Sequence, residues 1–261
     1  MKKAISALVG TGIFLVTGLA AAQYGGGYSG TYQPTAPPPR SSGLDNLGAE
    51  GQIVVGVDRI MGVSVDSMKS DEDAGANKTV EVKDKGTTFA LFGNGGGVDT
   101  ALLPRLALDY FVVEGVSVGG SFIYMNTSTT QEVDGESTDG PTTSSLLFHP
   151  RVGYAMAFDE TFSFWPRVGV SYYNRKVTTP EQKQGTTTTP ETSTKWSGFD
   201  ITAEANLGIS PFSNFAFLVG PFLEFPLSGT RTDDNGTKST DTDSKLTSFG
   251  LSASVVGYFG E

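Results

Sequence analysis

The chain contains no cysteine and a single histidine, His149. Without thiols it forms no disulfide and no thiolate metal centre. One imidazole speaks against zinc, so no metal or other cofactor is expected. Base is scarce: 18 Lys and Arg stand against 28 Asp and Glu, for a net charge of −10. Such a chain offers no electrostatic footprint for nucleic acid. Beyond the first 22 residues there is no long apolar run, so no transmembrane helix is expected. The apolar content of 38% is thin for a two-layer soluble fold. It suffices where each strand needs only one greasy face.

What is present is alternation with a period of two, from about Gln52 to Phe259. Between Trp196 and Ile209, Phe199, Ile201, Ala203, Ala205, Leu207 and Ile209 alternate with Gly198, Asp200, Thr202, Glu204, Asn206 and Gly208. Successive side chains on a strand point to opposite faces, so one face is apolar and the other carries charge. Eight such segments are read, at about 52–65, 102–111, 116–125, 145–157, 162–174, 196–209, 214–227 and 245–259. Tight connectors (112–115, 158–161, 210–213) alternate with long ones (66–101, 126–144, 175–195, 228–244). That asymmetry belongs to outer-membrane barrels, with short periplasmic turns and long external loops. The expected fold is all-β: an eight-stranded antiparallel up-and-down transmembrane β-barrel with both termini periplasmic. The segment Thr87–Phe92 reads as a strand inside the first long loop, expected as an external extension or hairpin.

Residues 1–22 read as a cleaved signal peptide, with Lys2 and Lys3, an apolar stretch to Leu19 and the small-residue site Ala20-Ala21-Ala22. Residues 23–50 are rich in Gly, Tyr and Pro and read as a disordered periplasmic tail. Residues 51–261 are the expected barrel. The long loops are rich in Thr, Ser and acid and are expected to be solvated. Asp233-Asp234-Asn235-Gly236 lacks the ligand spacing of a calcium loop.

On the expected lumen face lie Arg105, Arg151 and Arg167 with Asp58, Asp109, Asp200, Glu204 and Glu224. Counted from the tight turns, the three arginines fall at similar depth. An eight-stranded barrel is narrow enough to be filled by side chains, and a buried ion must be paired. A belt of ion pairs plugging the lumen is therefore expected. Arg59 breaks the alternation; either a bulge turns it inward or it snorkels at the outer interface. Pro104-Arg105, Pro150-Arg151 and Pro166-Arg167 repeat one pattern, with a bulge or weak pair expected at each proline. His149 shares the face of Arg151, near the outer end of its strand. It is the one candidate base for lipid-acting chemistry, with Ser171 or Asp200 as conceivable partners.

The signal peptide, the linker, the eight strands, the hairpin from Leu108-Asp109-Tyr110-Phe111 to Gly119-Gly120 and the final Ser248–Phe259 strand together resemble the bacterial outer-membrane β-barrel domain family, of the small OmpA-like transmembrane type. The resemblance covers about residues 50–261 and is architectural. In that family the last strand ends on an aromatic residue read by the barrel-assembly machinery. The resemblance assigns this signal to Phe249, Leu251, Val255, Tyr258 and Phe259. It implies outer-membrane lipid and the assembly machinery as partners. A non-enzymatic structural or surface-interaction protein, with an extracellular ligand for its loops, is the expected function. The alternatives are a narrow channel for ions or small solutes and a lipid-acting enzyme centred on His149.

Overall fold

The computed structural model describes residues 47–73, 79–92, 101–133, 136–184 and 187–260. The expected signal peptide and most of the expected tail lie outside them. In chain order the elements are β1 (Ile53–Asp73), β2 (Thr79–Leu91), β3 (Arg105–Val113), β4 (Val116–Val133), β5 (Glu136–Tyr154), β6 (Met156–Ala157), β7 (Phe162–Thr179), β8 (Gln182–Gln184), β9 (Thr187–Thr189), β10 (Thr192–Phe212), β11 (Phe215–Asp234) and β12 (Ser239–Phe259). Among the described residues there is no helix. Strands β1, β3, β4, β5, β7, β10, β11 and β12 each pair antiparallel with the next, and β12 pairs with β1, so eight strands close into a ring. Closure leaves no free edge in the paired region, which lipid would not tolerate.

The alternation sorts side chains as expected. Val63, Val168, Ile201, Leu223 and Leu251 face out and are exposed, while Asp58, Arg151, Thr202, Glu204 and Glu224 face in and are buried. Arginine at an outward position near the middle of this band would be stripped of water in a bilayer. Val168→Arg is expected to lower stability by about 2–4 kcal/mol in urea unfolding from vesicles, as lipid-facing charge does near the midplane. A shift within about 0.5 kcal/mol is what a water-facing strand would give.

The long loops need correction. The wall strands continue through most of 126–144 and 228–244 and into both ends of 175–195; β4 pairs with β5 as far out as Val133–Glu136, and β11 turns into β12 over Asn235–Lys238. Thr and Ser on both faces hide the alternation, but β-branched threonine fits a pleated strand. Of segment 87–92, residues 87–91 belong to β2, which folds back on β1. Its lower end lies beside Val63 and Val65 of the apolar band, so β2 also occupies wall, above β3. The change of neighbour coincides with a bulge: Val57 faces Val255 but Met61 faces Ala253. Inside it, Arg59 takes φ of 57°.

The tight turns are built by residues suited to them. Gly115 (φ 79°) and Asn214 (φ 66°) take left-handed positions that small or Asx residues reach at least cost. Asp159 accepts from the amides of Thr161 and Phe162 at 2.8 and 2.7 Å. Pro150 and Pro166 adjoin one seam. The β5–β7 ladder skips from Phe148–Tyr172 to Arg151–Gly169 and ends at Gly153–Arg167. The expected weak pairing is thus a seam without a bulge.

Leu47 and Gly48, expected as tail, pack against the barrel. Leu47 is buried among Val54, Phe111, Ala155, Trp165, Ala216, Leu218, Val256 and Tyr258. Gly115 N donates to Gly48 O at 2.8 Å, and Gly51 N to Phe111 O at 2.9 Å. The segment closes the short-turn end as an apolar floor.

Candidate functional site

Above this floor lies a belt of charge. Arg151 forks onto Asp109, Nε to Oδ1 at 3.0 Å and Nη2 to Oδ2 at 2.5 Å, and its Nη1 donates to Asp58. Arg167 Nη2 lies 2.7 Å from Glu204 and 3.3 Å from Asp58. Arg105 Nη2 donates to Glu224 at 2.9 Å. A fourth arginine completes it. Arg59 donates to Glu224 at 2.7 Å and to Glu204 at 2.9 Å, and its guanidinium lies 4.1 Å over the Phe222 ring. The bulge therefore settles Arg59 as inward and buried. Its amide donates to Ser254 Oγ at 3.0 Å, which anchors the irregular backbone.

Arg59, Arg105, Arg151 and Arg167 balance Asp58, Asp109, Glu204 and Glu224. Arginine suits this task because its planar fork meets two carboxylate oxygens at once. Asn206 adds an acceptor to Arg167, its amide oxygen within 3.0 Å of Nη2 once oriented toward it. Arg59 and Arg105 also donate to the carbonyl of Ala101. The chain between β2 and β3 dips into the lumen there. Leu103 packs with Ile123, Leu147 and Tyr173, and Leu102 with Ala90, Ala101 and Phe222, as an apolar ceiling over the belt.

Asp200 stands apart from the belt. It is buried, makes no ion pair among the described residues, and its Oδ1 has no hydrogen-bond partner there. With Glu224, Tyr173 and Trp196 it lines a cavity of about 20 Å³, room for roughly one water. His149 requires a correction too. Because β5 extends outward to Glu136, His149 sits well inside the strand, buried, with Nδ1 3.5 Å from Ser121 Oγ. It is not at the rim where lipid chemistry would occur. Ser171 bonds Thr202 at 2.8 Å, and among the described residues the hydrogen-bond partner of the imidazole is Ser121, not Ser171 or Asp200.

At the other candidate segment, Phe249, Leu251 and Phe259 face outward and are exposed, and Val255 shares their face on alternation. Tyr258 points the other way, into the floor.

No family model matches the chain, and no curated protein matches it in sequence. Solved structures do. The outer membrane protein OprG from Pseudomonas aeruginosa is 12% identical, with 84% of this chain and 100% of that one covered at a TM-score of 0.49. The outer membrane protein AlkL is 13% identical, covering 87% and 97% at 0.49. Ail, the attachment invasion locus protein of Yersinia pestis, is 14% identical, covering 80% and 99% at 0.33. A closed ring of eight antiparallel strands, apolar outside and charged inside, makes this chain a small transmembrane β-barrel of the outer-membrane type.

Proposed function

We propose that the protein is a non-enzymatic outer-membrane barrel with a permanently closed lumen, acting through the β-hairpins that rise beyond the membrane. The observation that carries this reading is the layering inside: apolar floor, neutral ion-pair belt, apolar ceiling. In this reading the two apolar layers and the paired charges between them oppose the passage of water and ions. Burial of His149 away from the rim supports the non-enzymatic part.

Leu47 and Gly260 both lie at the short-turn end, Gly260 beside Gln52. The orientation assigned is therefore short turns and termini in the periplasm, with the hairpins of β4–β5, β7–β10 and β11–β12 outside. The hairpins carry Thr and acid and are the surface for an external ligand. Phe259 and its outward neighbours on β12 are the assigned signal to the assembly machinery.

Planar-bilayer recording of the refolded protein tests the closed lumen. A silent bilayer with verified insertion is the expected result. Discrete steps that shift on Arg151→Ala would instead assign the belt to a gate and the protein to ion or small-solute passage.

A further inference from the structure

The outward faces of the strands stop being apolar in a shared way. On β1 the last apolar outward residue is Val65, and Lys69 lies four residues beyond it. On β12 the same step leads from Phe249 to Lys245, on β10 from Phe199 to Lys195, on β7 from Tyr172 to Lys176, and on β2 from Phe89 to Lys85. All five lysines are exposed, and among the described residues none makes an ion pair. On β11, between β12 and β10, Arg231 holds the equivalent place four beyond Leu227. The bulge between Glu224 and Thr230 turns it over Trp196 at 6.0 Å. The remaining arc, on β5 and β4, carries Ser144 and Asn126 in the row of Lys176.

The lysines are arranged against their own repulsion. Lys69 stands directly opposite both Lys245 and Lys83, and Lys176 directly opposite Lys195. Like charges in directly opposed positions destabilise a sheet. A sheet that only met water would gain by alternating signs across each row. Here signs are sorted by height. Apolar residues come first, then lysine, then acid: Asp71 faces Glu81 one row farther out, and Asp243 lies two beyond Lys245. Lys83 pairs with Glu81 at 2.5 Å and is thereby drawn to the acidic row. In a chain of net charge −10, such lysine-only rows run against composition.

A plane of negative charge at that height turns the arrangement into a gain. Four strand residues at about 3.3 Å each, tilted about 45°, place these lysines roughly 9 Å above the last apolar side chain. The polar zone of a bilayer is about 5–8 Å deep on each side, and a lysine stem bends back along apolar surface to reach it. We propose that Lys69, Lys85, Lys176, Lys195 and Lys245 form a girdle that binds the phosphate groups of anionic lipids in the leaflet around the long hairpins. That this is the outer leaflet rests on the orientation proposed above.

The test is boundary-lipid selectivity in symmetric vesicles of a phosphocholine lipid mixed with phosphatidic acid, each spin-labelled in turn. The wild-type barrel is expected to prefer phosphatidic acid about fivefold at a girdle site, the equivalent of about one lysine–headgroup contact. Combining Lys69→Gln, Lys85→Gln, Lys176→Gln, Lys195→Gln and Lys245→Gln is expected to abolish the preference, while Lys238→Gln in the distal β11–β12 turn leaves it intact. Equal preference in wild type and the five-residue variant, both folded, overturns the proposal. Displacement by inorganic phosphate at matched concentration overturns it as well, since the rows would then serve a free anion. Symmetric vesicles make this readout independent of sidedness. Labelling of a Lys238→Cys variant on intact cells tests the orientation by itself.

Discussion

Replacing Arg151 by Met is expected to cost the folded barrel about 3–5 kcal/mol, the loss typical when one partner of a buried ion pair is removed. Arg151 holds both oxygens of Asp109 and one of Asp58, and it is 3% exposed. Without it Asp109 keeps no arginine, and Asp58 keeps only Arg167 at 3.3 Å. The belt passes from neutral to one net negative charge in a place water does not reach. The readout is the urea midpoint of the refolded protein, followed by tryptophan fluorescence. Adding Asp109→Asn is expected to recover part of the loss, because an amide needs no counter-charge. An unchanged midpoint for Arg151→Met would show that the belt does not hold the barrel. A closed plug also predicts that the variant stays electrically silent as long as it remains folded.

How much of this was legible in the sequence varies with the cause of each feature. The wall of β12 could be read from Phe249, Leu251, Ala253 and Val255, because lipid imposes one apolar face on every strand. The belt could be read almost as well. Arg105, Arg151 and Arg167 sit at fixed steps from tight turns, and turns set height. The outward extensions of β4, β5, β10, β11 and β12 were not legible, since a strand wetted on both faces has no hydrophobic period to find. Leu47 was read as tail because one apolar residue in a Gly- and Pro-rich stretch carries no pattern. Its burial depends on Trp165 and Phe111, which are remote in the chain. Asp200 shares the inward face of Glu204, so alternation assigns it correctly to the lumen. Alternation cannot tell that it misses the arginines.

Arg59 shows the same limit most sharply, and it supplies the second large effect. Arg59→Ala is expected to destabilise by at least about 3 kcal/mol, since it strips Glu204 and Glu224 of a shared partner inside the barrel. Its backbone makes a finer comparison possible. At φ of 57° any residue with a Cβ is strained by about 1–2 kcal/mol, and glycine is not. Arg59→Gly removes the same guanidinium but relieves that strain. It is therefore expected to be about 1 kcal/mol milder than Arg59→Ala, the reverse of the usual order within a strand. The two midpoints, measured side by side, separate the ion pairs from the bulge. Equal loss in both would mean that the bulge carries no strain. Wild-type stability in both would mean that Glu204 and Glu224 are held by Arg105 and Arg167 alone. The bulge lies where the neighbour of β1 changes from β3 to β2. The extra residues let one strand serve two partners, and the side chain they turn inward neutralises two carboxylates. No local period in the sequence encodes that exchange, because it is set by β12 through Ser254, almost two hundred residues away.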